Sequence, residues 1–165
     1  SPENSLIASR RDADNSFSKA VLSYARVQPV SDSFTFLVRA VGQITSDSLV
    51  ASEEFSMGGA DTVRGFPQGE FGGDDGYLIS AEARYAPFTN KEVCQFVLFI
   101  DHAGANRLST LVGQKVFNSL TGAGFGVRLN LPYNTDLRLD LGFPISPSNS
   151  TDESPVVYVA GSIRF

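Results

Sequence analysis

Gly58-Gly59-Ala60-Asp61-Thr62-Val63-Arg64-Gly65-Phe66 stands in the middle of the longest connection in this 165-residue chain. Paired glycines permit positive φ and close approach of backbones. Val63 and Phe66 then flank a single cation, and the stretch has neither helical nor strand periodicity. A solvated loop has little use for Val and Phe around an arginine, so the pattern predicts a loop tip that packs inside something. A guanidinium cannot shed its charge, and taking it out of water is costly unless carboxylates meet it. The rest of the chain is therefore expected to supply a cavity and an acid.

The flanking segments alternate with a period of two. Phe34, Phe36, Val38 and Ala40 share one face of a predicted strand over 33–44, opposite Thr35 and Arg39. Over 77–87, Tyr77, Ile79, Ala81 and Ala83 oppose Ser80, Glu82 and Arg84. Phe96, Leu98 and Ile100 oppose Gln95, Phe99 and Asp101, and Phe125, Val127 and Leu129 oppose Gly124, Gly126 and Arg128. Leu137, Leu139, Leu141 and Phe143 oppose Asp136, Arg138 and Asp140, and Val157, Val159, Ile163 and Phe165 share a face with Gly161. With a weakly alternating segment over 17–28, the sequence predicts seven strands. Connections alternate short and long. Gln28-Pro29-Val30-Ser31-Asp32, Pro87-Phe88-Thr89-Asn90-Lys91 and Pro132-Tyr133-Asn134 are the short ones. Residues 45–76, 105–118 and 146–154 form the long ones, and 1–15 reads as a further loop. This sidedness belongs to a transmembrane β-barrel, with short turns at one rim and long loops at the other. A β-sandwich also sets polar against apolar faces, but needs neither such long strands nor a buried arginine loop.

Composition agrees with an all-β antiparallel barrel portion. No run of ~18 apolar residues marks a membrane helix, and barrel strands average to the near-neutral mean hydropathy of −0.04. The net charge of −5 and the lack of a basic patch argue against a nucleic-acid partner. One cysteine, Cys94, makes no internal disulfide and reads as a small apolar residue on the lipid side. The single histidine, His102, falls by parity on the lipid face or rim, and no Gly-x-Ser-x-Gly elbow occurs, so no catalytic residue is expected. Gly72-Gly73-Asp74-Asp75-Gly76 lacks the spaced ligands of a calcium loop and reads as a turn into the next strand; no metal or cofactor is implied. An odd strand count cannot close a barrel and leaves two bare edges, which require the remainder of the barrel or another copy of the chain. The polar start Ser1-Pro2-Glu3-Asn4 reads as mid-loop, the beginning of a processed or excised piece.

Several of these residues together resemble a known family. Gly58-Gly59, Val63-Arg64-Gly65-Phe66, Gly72-Gly73-Asp74-Asp75-Gly76 and Glu82-Ala83-Arg84, in that order, are similar to the signature of outer-membrane two-partner secretion transporters. This is the TpsB-type, haemolysin-activator family, in one superfamily with BamA-like assembly proteins. The resemblance covers residues 16–165 and implies the last seven strands of a sixteen-stranded barrel in the bacterial outer membrane, with upstream periplasmic domains absent from this sequence. It implies that the Val-Arg-Gly-Phe tip folds back into the lumen and that the function is export of a large partner exoprotein, without ATP or catalysis. A BamA-like assembly factor and a passive structural or adhesive barrel are the alternatives.

The resemblance also implies the acid. Phe99-Ile100-Asp101 matches the family strand motif of Phe or Gly, any residue, Asp, any residue, Gly, except that Ala103 stands where glycine is usual. Asp101 is thus the expected partner of Arg64, and Glu82, on the same predicted face, is expected to share the charge. Arg64, Asp101 and Glu82 form the expected lumen latch; Gly58, Gly59, Val63, Gly65 and Phe66 form the loop that carries it. The terminal Phe165 resembles the sorting signal read by the barrel-assembly machinery, which adds that machinery and outer-membrane lipid to the expected partners.

Overall fold

The computed structural model describes residues 17–88, 93–108, 116–146 and 154–164. Among them no helix occurs. Seven long strands form one antiparallel sheet, and two short strands form a hairpin above it. The long strands are β1 (Lys19–Pro29), β2 (Phe34–Thr45), β5 (Asp75–Tyr85), β6 (Cys94–Asn106), β7 (Phe117–Leu131), β8 (Thr135–Pro144) and β9 (Val156–Ile163); the short ones are β3 (Phe55–Met57) and β4 (Phe71–Gly73). The sheet order is β1-β2-β5-β6-β7-β8-β9, so each long strand pairs with the next in sequence. Up-and-down pairing of this kind follows from the alternation of short and long connections.

Register turns the alternating pattern of each strand into rows across the sheet. Phe36, Ala83, Leu98, Phe125, Leu141 and Val157 stand opposite one another from β2 to β9 and form an apolar row on one face. That face is uncovered: Leu98 is 65 % exposed, Val157 66 % and Val159 69 %. A contiguous apolar surface of this extent is characteristic of contact with lipid rather than water. The other face is called inner here because the long connection folds onto it. Its rows begin with Val41, Leu78, Ala103 and Leu120 at the loop end, an apolar band. One row down stand Arg39, Ser80, Asp101 and Gly122, and below them Leu37, Glu82, Phe99, Gly124 and Gly142.

Three expectations about connections are corrected. Residues 45–76 are not a bare loop: Phe55–Met57 pairs with Phe71–Gly73, and β5 already starts at Asp75. Gly72-Gly73-Asp74-Asp75-Gly76 is accordingly no turn but the end of one strand and the start of another. Asp74 between them is fully buried; its carboxylate accepts from the backbone N–H groups of Leu49 (2.7 Å) and Leu108 (2.8 Å). It thereby ties the connection to the end of β6. Finally, the connection expected over 105–118 is shorter, since β6 runs through Asn106 and β7 begins at Phe117. Short elements escape a period-of-two reading because three residues hold only one full alternation.

The hydrophobic cluster lies between the connection and the inner face. Phe55, Met57, Val63, Phe66 and Phe71 from the connection pack on Leu78, Ala103, Ala105 and Leu120 of the sheet, with Val41 at the margin. Val63 and Phe66 are both essentially inaccessible. The apolar pair around Arg64 therefore does what the sequence predicts: it buries the loop tip against the wall.

Candidate functional site

Arg64 descends from this apolar band into the polar row beneath it. Its Nε donates to Asp101 Oδ2 (2.7 Å) and its Nη2 to Asp101 Oδ1 (2.8 Å), a bidentate pair. Its Nη1 donates to Glu82 Oε1 (2.7 Å). The Arg64 backbone N–H adds a bond to Asp101 Oδ2 (3.2 Å), so the acid holds both side chain and main chain of the tip. The guanidinium carbon sits 3.5 Å from the centroid of the Phe99 ring, a cation–π stack that covers its remaining face. Arg64 is 2 % exposed and Asp101 fully buried. Burial by itself would lower the Arg64 pKa; the hydrogen bonds and charges of Asp101, then Glu82, more than offset it and hold the group above its ordinary range.

Behind this centre lies a second layer of charge. Ser80 Oγ donates to Asp101 Oδ1 (2.6 Å). Arg84 donates to Glu82 Oε2 through Nε (3.0 Å) and Nη2 (2.7 Å). Asp140, buried on β8, accepts from Arg128 Nη1 (2.6 Å) and Arg138 Nε (2.7 Å), and its Oδ2 lies 3.5 Å from Arg64 Nη1. The periodicity placed Asp140 on the polar face but did not single it out. Its nearness to Arg64 depends on inter-strand register, which one strand's pattern does not contain.

The seat of the loop is built from backbone. Gly65 has φ +103, and a Cβ there would strike the main chain at Phe143 and Pro144. Gly122 on β7 lies directly beneath the Arg64 carbonyl, and Gly142 on β8 beneath the Gly65 N–H. Neither position has room for a side chain. From β9, the Tyr158 hydroxyl accepts from the Gly65 N–H (3.0 Å) and donates to the Phe66 carbonyl (2.7 Å). Gly58 and Gly59, at φ +96 and +115, make the bend into the tip, and the Gly59 carbonyl accepts from the Thr62 N–H (3.2 Å). All the expected latch and loop residues thus meet in one place. Gly122, Gly142, Asp140 and Tyr158 are additions to the expected site; Asp140's place on the polar face was in the sequence pattern, but its role was not.

His102 lies on the apolar face, bonded to the Tyr77 hydroxyl (3.1 Å) and Thr121 Oγ1 (2.8 Å), away from the latch. Cys94 is half-buried and shares the row parity of Phe96 and Leu98 on that face. Phe165 and residues 1–15 lie outside the described residues.

A uniform up-and-down sheet, lipid-type on one face and charged on the other, with a loop pinned to the charged face, defines the class: part of the wall of an antiparallel membrane β-barrel with an inserted loop. The chain belongs to the haemolysin secretion/activation protein family ShlB/FhaC/HecB, whose model matches residues 3–129. It is 31% identical over 113 residues to the heme/hemopexin transporter protein HuxB of Haemophilus influenzae, a match covering 67% of this chain and 20% of that one. It is 37% identical over 130 residues to the outer membrane transporter CdiB of Dickeya dadantii, covering 79% of this chain and 23% of the relative. The solved structure of CdiB from Acinetobacter baumannii superposes with a TM-score of 0.64 at 26% identity, over 87% of this chain and 25% of that chain. The chain therefore spans about a fifth to a quarter of the length of these relatives.

Proposed function

We propose that these residues form part of the wall of a transporter that exports a large partner exoprotein through a β-barrel in the bacterial outer membrane. The observation that carries this reading is the buried Arg64–Asp101–Glu82 centre on a loop laid against the inner wall. Such a centre makes and breaks no bond. It fixes the position of a loop that would otherwise obstruct or line the passage, which is a requirement of transport rather than of catalysis. Relatives bearing the names of transporters support the same function. Lipid covers the apolar face, and the remainder of the barrel, or a second copy, pairs with edges β1 and β9.

The test is deletion of the whole gene in its own cell. The exoprotein should disappear from the medium while other outer-membrane proteins keep their normal levels. A general loss of barrels would identify an assembly factor instead, and unchanged exoprotein would overturn transport.

A further inference from the structure

Val63, Arg64 and Phe66 are held by their side chains, and the loop tip is held by its main chain as well. Arg39, on β2, donates from Nη2 to the Asp61 carbonyl. Arg138, on β8, donates from Nη2 to the Ala60 carbonyl (2.7 Å). Tyr158, on β9, takes the Gly65 N–H and gives to the Phe66 carbonyl. Arg138 also reaches the exposed Asp61 carboxylate through Nη1 (3.3 Å), but the other contacts read no side chain, and every polypeptide offers the same groups. Arg138 also lines two hollows of the inner face. One, of about 200 Å³, lies beside the loop tip with Leu37, Arg39 and Arg84. The other, of about 490 Å³, runs toward the short-turn end with Arg84, Arg128, Asn130 and Ala160. Arg84, Arg128 and Arg138 belong to both, so a polar, guanidinium-lined groove leads from the turn rim to the groups that grip the loop.

We infer that this groove is a docking track for an extended polypeptide, and that Arg39, Arg138 and Tyr158 hold the main chain of the passenger as they hold that of the loop. The loop tip then occupies the track at rest and competes with the passenger for the same donors. An unfolded chain in transit carries unpaired carbonyls and N–H groups, and groups that recognise them irrespective of sequence suit a cargo of variable sequence. The inference rests on the export of a polypeptide proposed above.

The experiment uses the full-length transporter with its own exoprotein, arrested in transit by a disulfide-closed domain fused to the passenger. A photo-reactive residue replaces Ala160, in the groove, or Leu37, beside Arg39; Val159, on the apolar face, serves as control. Passenger adducts should form from Ala160 and Leu37 and not from Val159, and should map to many passenger positions. Arg138→Gln should lower the yield from Ala160 about fivefold, as should Arg39→Gln from Leu37, the loss expected for one charge-assisted hydrogen bond in a solvated groove. Heat-modifiable migration of the variants verifies that their barrels are folded. Adducts from inner positions such as Val21 with none from Ala160 or Leu37 would leave export standing and remove the track. Yields indifferent to both arginine changes would do the same. Absence of adducts from every inner position, with no exoprotein outside the cell, would remove export and track together.

Discussion

Gly122 and Arg64 are in contact through their backbones: the Arg64 carbonyl oxygen occupies the place where a Gly122 side chain would begin. The latch therefore depends on an absence in β7 as much as on the charge of Asp101. Gly122→Ala should lift the tip off the wall while every latch residue is retained. Proteolysis within 58–66 of the full-length transporter should accelerate by roughly tenfold or more, since overpacking costs on the order of 1–3 kcal/mol. Gly42→Ala, where a Cβ meets nothing within 4 Å, should leave the rate unchanged. Equal behaviour of the two variants would show that the seat is not a steric one.

Tyr158 joins the last strand to the loop by two hydrogen bonds. Tyr158→Phe removes both and leaves the buried Gly65 N–H and Phe66 carbonyl without those partners, at a cost of about 1–3 kcal/mol. Amide exchange at Gly65 should quicken by one to two decades while Asp101-side protection persists. Unaltered exchange at Gly65 would remove Tyr158 from the loop's support.

The two faces of the sheet should meet different media. Nitroxides at Phe125 and Leu139 should collide with oxygen in the manner of lipid-facing sites, and one at Ala160 should be accessible to a water-soluble relaxant. The rows that run through the register require this pattern across all strands at once. The reverse pattern would contradict a barrel.

Among the described residues, edges β1 and β9 each present a row of backbone groups with no neighbouring strand, which a hydrocarbon environment does not tolerate. The 165-residue polypeptide, folded by itself in detergent, should therefore be found as a dimer or larger species. A monodisperse folded monomer by light scattering with detergent correction would contradict this.

The faces of β2, β5, β6 and β8 are legible in the sequence because Phe34 to Ala40 or Leu137 to Phe143 alternate without interruption. β1 is less so: Val21 and Leu22 are both apolar and both exposed, and at the sheet edge neither is sorted by a neighbour on each side. Arg64 and its acids were legible from charge, burial of the flanks and family pattern. Gly122, Gly142, Asp140 and Tyr158 were not, for one reason. Their roles arise from the register that brings Gly126, Asp140 and Tyr158 into one row and sets Gly122 opposite Pro144. Register is a relation between strands, and a single strand's periodicity fixes a face but no neighbour. Asp74 was misread for another reason: Gly-Gly-Asp-Asp-Gly has the composition of a turn, yet pairing with β3 draws its first two residues into a strand.

The central claim is that Arg64 and Asp101 act as one unit to hold the loop, and a double-mutant cycle tests it most directly. Arg64→Ala, Asp101→Ala and the double variant are made in the full-length transporter, with protection of residues 58–66 from protease as the measured free energy. Each single change strands a buried charge and should loosen the loop by about 3 kcal/mol, less where lumen water reaches the site. The double variant should be no worse than either single one, giving a coupling energy of roughly 1–3 kcal/mol. A double variant equal to the plain sum of the two single effects would contradict the account.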